Sequence, residues 1–469
     1  MPPGDAGADA GRRSPRARRA RARAPAWRRG VRGLGLPVER LTRAALLAPR
    51  GKVTKVLGLV IEATGPAGAV GDVCRLRVAR GEGSVLAEIV GFRDDRLLLM
   101  PLGEIEGVAP GSEVTPLGRP LTAPVGFGLL GRVLDGVGRP LDGRGPLDDL
   151  AVVPCRASAP DPLARRRVTE PLPTGVRAID ALLTIGLGQR VGIFAGSGVG
   201  KSTLLGMIAR RTAADVNVIG LIGERGREVR EFIERDLGAE GLARSVLVVA
   251  TSDAPPQIRR QAAFTATTIA EWFRDQGRRV LLMMDSLTRF AHAQREVGLA
   301  IGEPPTTRGY TPSVFAVLPR LLERAGTSPG AGAITGLYTV LVEGDDPNEP
   351  ISDTARSILD GHIVLSRELA ERGHYPAIDV LASLSRCMPD VVDERHLAAA
   401  HALRALVAAR RDVEPLLALG AYRPGSLPQA DRAIQAWPAI EAFLRQTVDE
   451  ASDFSSTVER LTALSGGTS

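Results

Sequence analysis

The sequence predicts an α/β protein built in three parts: a small antiparallel β-barrel, a core of alternating strands and helices on a mostly parallel sheet, and a closing helical domain. Three observations predict this. Short apolar or alternating runs, separated by turn residues, fill Lys52 to about Leu117. From about Ala151 strand-like runs alternate with helical patterns, and from roughly Asp390 Leu- and Ala-rich segments take over. With 469 residues, 44% hydrophobic and 24% charged, the chain has apolar material for about three domains, and wholesale disorder is excluded. The expected divisions are an Arg-rich disordered tail (1–35), an amphipathic segment (36–50), the barrel (51–120), the α/β domain (121–388) and the helical domain (389–469).

The tail carries the charge. Residues 1–50 hold thirteen arginines against three acids, a net of +10, which leaves −3 for the rest of a chain whose total is +7. Arg16, Arg18, Arg19, Arg21 and Arg23 among Ala and Pro read as a solvated arm or as translated sequence upstream of the true start; the same run can also neutralise phosphates of nucleic acid or anionic lipid. The tail lacks the apolar core of a signal peptide. Leu36, Val38, Leu41, Ala45 and Leu47 then fall near helical spacing, a short amphipathic helix whose apolar side can dock on its own barrel or on a partner helix.

In the barrel segment, Val56–Ile61, Val85–Val90 and Leu97–Met100 are separated by Gly65-Pro66 and by Arg93-Asp94-Asp95-Arg96. Farther on, Gly326 to Gly336, rich in small residues and containing Pro329, reads as a mobile turn. His396 to Arg411 and Arg432 to Val448 read as helices of the closing domain. No apolar stretch approaches the ~20 residues of a membrane span. Three scattered cysteines, Cys74, Cys155 and Cys387, build neither a disulfide framework nor a zinc site, and fit a reduced, cytoplasmic setting. Five dispersed histidines, His362 and His374 among them, form no metal-binding pattern and are expected to pack or cap locally.

The chemistry begins at Arg190–Phe194, an apolar run followed by Ala195-Gly196-Ser197-Gly198-Val199-Gly200-Lys201-Ser202 and then by helical character from Thr203 to Arg210. This is a P-loop in its strand–loop–helix setting, with Ala195 in place of the first glycine of the strict pattern. Glycines let backbone N–H groups curl around phosphate oxygens, Lys201 supplies a point charge to the β/γ-phosphates, and the Ser202 hydroxyl is offered to Mg²⁺. Among 60 basic residues only three are lysine, and one of them is Lys201. Val280–Met284 is a buried-strand run ending in Asp285, a carboxylate placed to orient Mg²⁺ through water. Val216–Ile222 ends in Gly223-Glu224-Arg225-Gly226-Arg227-Glu228, and a carboxylate there, on the same sheet edge, can polarise a water that attacks a γ-phosphoryl group.

The strings GERGRE, LLMMDSLTRFA, GEPPTTRGY, LVEGDDPNEPISDTARSILDGHIVLSREL, HYPAID and LLGRVLDGVGRPLDG resemble the rotary ATP synthase superfamily, and within it most closely the flagellum-specific ATPases of the flagellar export apparatus, over roughly Arg40 to the C-terminus. The resemblance implies a RecA-like P-loop ATPase core in 121–388, with ATP and Mg²⁺ as its ligands. It makes Gly196, Ser197, Gly198, Val199, Gly200, Lys201 and Ser202 the phosphate loop, with Ser202 and Asp285 serving the metal. Glu224 becomes the carboxylate that positions water, Arg225 and Arg289 hold the γ-phosphate, and Arg386 is an arginine finger offered to the neighbouring subunit. Tyr375 stacks on the adenine, with Tyr422 a second candidate for the other face of the ring.

The same resemblance implies a homohexamer, since one chain carries both the P-loop with Glu224 and the finger. It places Asp345–Pro350 at a central pore against a stalk protein, although that acidic, Pro-bounded stretch also reads as a solvated turn. The other expected partners are flagellar export regulators, the export gate, and export substrates with their chaperones. The expected site of action is cytoplasmic, peripheral at the inner face of the cytoplasmic membrane. The alternatives are an injectisome-type secretion ATPase, an ATP synthase catalytic subunit and, from another class, a Rho-like RNA translocase. Against the last stands the barrel, whose single aromatic, Phe92, offers no stacking platform for nucleic acid. A structural protein with a dead site is disfavoured too, because every expected catalytic position is filled.

Overall fold

In a computed structural model describing residues 50–65, 67–78, 83–342 and 349–466, the chain opens with β1 (Gly51–Leu57), β2 (Val60–Thr64), β3 (Asp72–Arg77), β4 (Ser84–Arg93), β5 (Arg96–Pro101) and β6 (Glu113–Pro120). They close into an antiparallel barrel in the order β1-β2-β5-β4-β3-β6. The expected tail, the helix over Leu36–Leu47 and the acidic residues Asp345–Asn348 lie outside the described residues.

The apolar run Leu97–Met100 shows why this segment is buried on both faces. Leu97 and Leu99 point into the barrel core with Val53, Ile61, Cys74 and Ile89, while Leu98 and Met100 join Val60 and Val297 in a second cluster outside it. Val297 belongs to the helix Leu287–Ile301 of the α/β domain, so alternation along one strand both fills the barrel and seats it. Polar groups add direction. Buried Glu88 on β4 accepts from Arg156 Nη2 at 3.1 Å, from Arg260 Nη2 at 2.9 Å and from the Gln257 amide.

A short pair, β7 (Thr122–Val125) with β9 (Ala151–Pro154), links the barrel to the main sheet. That sheet contains β8 (Val133–Asp135), β10 (Arg190–Ala195), β11 (Val216–Glu224), β12 (Ser245–Thr251), β13 (Arg279–Asp285), β14 (Gly326–Thr327), β15 (Ala333–Leu341), β16 (Gly361–Leu365) and β17 (Leu384–Ser385). Its order is β17-β16-β10-β15-β13-β11-β12-β8, with β14 pairing β15; the β14–β15 and β16–β17 pairs are antiparallel and the rest parallel. Continuous apolar strands fit because both faces are covered. On β13, Leu281 and Met283 enter one core with Leu204, Leu205 and Ile208 of the helix Lys201–Arg211. Val280, Leu282 and Met284 enter the other, with Ala262, Ala266 and Phe273 of the helix Pro256–Asp275.

Gly326–Gly336 is a correction. A mobile turn is expected there, but the structure forms β14 and the start of β15, with only Ser328–Gly332 between them. The small residues serve close packing: a Cβ on Gly332 would lie 2.0 Å from the Arg274 carbonyl oxygen. The C-terminal part consists of helices Glu394–Ala418, Pro428–Leu444 and Phe454–Leu464. Arg177, 2% exposed, ties them to the α/β domain by donating from Nε to the Phe443 carbonyl at 2.9 Å and by bonding the Glu450 carboxylate. Among the described residues no helix is long and apolar enough to cross a membrane.

The helix Pro256–Asp275 is pinned by an enclosed ion pair. Arg324, 1% exposed, donates to Glu271 from Nε at 2.8 Å and from Nη2 at 2.5 Å, and from Nη1 to the Cys155 carbonyl at 2.9 Å. Removing one partner strands a buried charge. Glu271→Ala is therefore expected to lower the free energy of unfolding by ~3–5 kcal/mol in denaturant titrations; a loss below ~1 kcal/mol would show that the guanidinium finds other partners.

Candidate functional site

Strand β10 carries the chain into the loop and the helix Lys201–Arg211. Ala195 closes the strand and is 1% exposed, so its methyl is core packing and the position asks nothing of a glycine. The turn itself does. Gly198 and Gly200 take φ +79° and +89°, the left-handed region that strains other residues. Between them Val199, 2% exposed, anchors the loop in the core.

The sheet order then places three side chains together. Lys201 follows β10, Asp285 ends β13 and Glu224 ends β11. Lys201 Nζ bonds Asp285 Oδ1 and lies 3.5 Å from Glu224 Oε1. Thr339, on the strand β15 between β10 and β13, donates its hydroxyl to the same Asp285 oxygen at 2.6 Å. Burial works against the Lys201 ammonium, but the carboxylates of Asp285 and Glu224 outweigh it and hold the amine above its ordinary value. Burial, with the negative charge of Asp285 behind it, pushes the Glu224 carboxyl up to about 7 against the pull of Lys201. An acid near 7 is suited to proton transfer at neutral pH.

A cavity of about 410 Å³ is lined by Ser197, Lys201, Ser202, Glu224, Arg225 and Arg289, among others. Arg289 reaches it because Gly223, at φ +72°, leaves room: a Cβ there would lie 2.8 Å from the Arg289 Cβ. Arg225 caps the short helix Gly226–Glu231 and donates from Nη1 to Glu228 Oε1 at 3.1 Å. A second cavity, about 470 Å³, shares Gly198, Gly200 and Thr203 and is walled by Tyr375. The Tyr375 ring, 46% exposed, lies over the loop, 3.4 Å from where a Gly200 Cβ would be.

Two expected residues stand apart. Tyr422 donates to Asp431 Oδ1 at 3.0 Å and lines neither cavity. The wall shared with Tyr375 is instead Gln446, Thr447 and Val448, part of a segment roped to the loop's own helix by Arg211, whose Nη2 donates to the Val448 carbonyl at 2.7 Å. Arg386 is exposed and lies outside the cavity that holds Lys201; its backbone N–H donates to the Asp360 carbonyl at 3.0 Å. Sequence reading passed over Thr339 and Gln446–Val448. One of two buried threonines in an apolar strand gives a faint signal, and the C-terminal segment gives none.

Among the described residues no group of three or more His, Cys, Asp or Glu gathers as a metal cage. Ser202 and Asp285 remain as oxygen donors beside the loop, a sparse set that suits a Mg²⁺ completed by phosphate oxygens and water.

Comparison with known proteins agrees with this geometry. Residues 175–385 match the ATP synthase alpha/beta family nucleotide-binding domain, 53–118 its beta-barrel domain and 392–463 the T3SS EscN ATPase C-terminal domain. The chain is 55% identical over 417 residues to the flagellum-specific ATP synthase of Bacillus subtilis, covering 89% of this chain and 95% of that one. It is 57% identical over 414 residues to a type 3 secretion system ATPase of Xanthomonas euvesicatoria, covering 88% and 93%. The assembled ATPase EscN of the enteropathogenic E. coli type III secretion system superposes with a TM-score of 0.83 at 48% identity, covering 88% of this chain and all of that one. EscN in complex with its central stalk EscO gives 0.82.

With Glu224 as the base, only its ionised form works, so kcat/KM for Mg-ATP is expected to rise with pH through about 7 and to fall up to tenfold per unit below it. A flat profile between pH 5.5 and 8 would remove Glu224 from that role. The two tyrosines separate in a binding assay. Loss of a stacked ring costs ~1–3 kcal/mol, so Tyr375→Ala is expected to weaken ATP binding by about tenfold, whereas Tyr422→Ala leaves it within about twofold; the reverse ranking would contradict the cavity assignment.

Proposed function

We propose, for a chain that belongs to the ATP synthase alpha/beta family and within it to the ATPases of flagellar and type III secretion systems, that it hydrolyses Mg-ATP as a homohexameric ring and thereby energises protein export by the flagellar apparatus. The observation that carries the reading is spatial. Lys201, Glu224, Arg225 and Arg289 line one cavity, while Arg386 is exposed outside it. A finger kept out of its own site is available to a neighbour's, and head-to-tail repetition of that contact closes a ring.

In this mechanism Lys201 leaves Asp285 for the β/γ-phosphates, and Ser202 and Asp285 serve the metal. A Mg²⁺ held there would supply positive charge against the negative charge of the phosphates. Tyr375 holds the adenine, Arg225 and Arg289 steady the γ-phosphoryl group, and Glu224 orients the attacking water and draws its proton. Arg386 of the adjacent copy meets the charge spreading over the transferring oxygens.

The solved EscN–EscO complex supports an analogous stalk partner for this chain, met by the acidic segment Asp345–Pro350. Export regulators, the export gate, and substrates with their chaperones complete the set of partners, at the inner face of the cytoplasmic membrane. The injectisome reading keeps its place because the Xanthomonas type 3 secretion relative is as similar as the flagellar ones. Deleting the gene separates the two: loss of flagellar filaments with needle secretion intact supports the flagellar branch, and the opposite pattern supports the other.

Turnover per chain is expected to climb steeply with protein concentration as a ring forms, to be indifferent to added single-stranded RNA, and to fall ~10³-fold or more in Arg386→Ala while ATP binding persists. Turnover independent of concentration, or RNA-dependent, would overturn the ring with its trans finger.

A further inference from the structure

Arg225 is read above as a γ-phosphate residue, yet its guanidinium already has an anion. Its Nη1 donates to Glu228 Oε1 at 3.1 Å, and its backbone N–H faces Glu228 Oε2 at 3.5 Å across the cap of the helix Gly226–Glu231. Both side chains line the cavity that holds Lys201, Glu224 and Arg289. Glu228 is anchored on the helix, with Arg227 Nη2 3.9 Å from the same Oε1, and the Arg225 side chain is 69% exposed. A phosphate oxygen that engages Arg225 meets a guanidinium whose charge and Nη1 are already directed at a carboxylate.

We propose that Glu228 is a positioning residue that competes with the γ-phosphate for Arg225 and so sets how strongly the site prefers ATP over ADP. The inference rests on the reading of Arg225 as a γ-phosphate contact. The groups bearing on the pair are Lys201, Glu224, Arg227 and Arg289. Burial would raise the Glu228 carboxyl, but its hydrogen bond with Glu224, the Arg225 backbone N–H and the charge of Arg225 hold it below the ordinary carboxylate value. ADP has no γ-phosphate and does not enter the competition. An exposed pair of this spacing is worth little, so the effect is a trim on affinity of about two- to fivefold.

The test is calorimetric titration of the full chain with Mg-ADP and with the Mg complex of a non-hydrolysable ATP analogue. Glu228→Gln keeps an acceptor for the helix cap and removes the charge. It is expected to tighten the analogue about two- to fivefold, leave ADP unchanged, and lose that gain in the Arg225→Ala background. Glu228→Asp, whose shorter arm withdraws the carboxylate, gives the same direction should the glutamine variant misfold. Equal shifts for both ligands, or weaker analogue binding, would show that Glu228 does not compete for Arg225. If Arg225→Ala alone leaves the preference for the analogue over ADP unchanged, the underlying reading of Arg225 fails, and the proposal with it.

Discussion

An ammonium group deep in a protein is stable only with its counter-charges fixed beside it. Lys201, with Asp285 on one side and Glu224 on the other, is such a group, and much of the architecture serves that arrangement. The three residues come from the ends of β10, β13 and β11, and parallel strands bring their C-terminal ends to one edge as a matter of topology. The strand between β10 and β13 contributes Thr339, which fixes the Asp285 oxygen that Lys201 uses. A phosphate entering the loop thus meets a lysine already oriented, and must outbid a carboxylate for it.

The outer parts of the molecule bear on the same edge. The barrel stands on the helix Leu287–Ile301 through Leu98 and Met100, and that helix carries Arg289 at its first turn. The C-terminal helices are fastened through Arg177, and the segment between the last two of them, Gln446–Val448, walls the cavity beneath Tyr375 while Arg211 holds it to the loop's own helix. Displacing either attachment would move a wall of the site.

Much of this was legible in the sequence, for identifiable reasons. The continuous run Val280–Met284, paired with the P-loop, reads as a strand covered on both faces, and the glycine spacing around Lys201 has one economical use. The short runs and turns over Lys52–Leu117, Leu97–Met100 among them, announce a barrel but not its seat, because which helix covers Leu98 depends on contacts far apart in the chain. Gly326–Gly336 misled because small residues serve close strand packing as readily as turns. Tyr422 is a candidate for the adenine site only through the family resemblance, with no local motif beside it. The structure gives its hydroxyl to Asp431 and gives the cavity wall to Gln446–Val448, whose sequence carries no aromatic to draw the eye.

The account turns on the exchange of Lys201 between carboxylate and phosphate. A structure of the chain with Mg-ADP and beryllium fluoride measures it directly. The predicted result has Lys201 Nζ within hydrogen-bond distance of the β-phosphate or fluoride and withdrawn from Asp285 Oδ1. Lys201 still bonded to Asp285, with no contact to the ligand, would contradict the account.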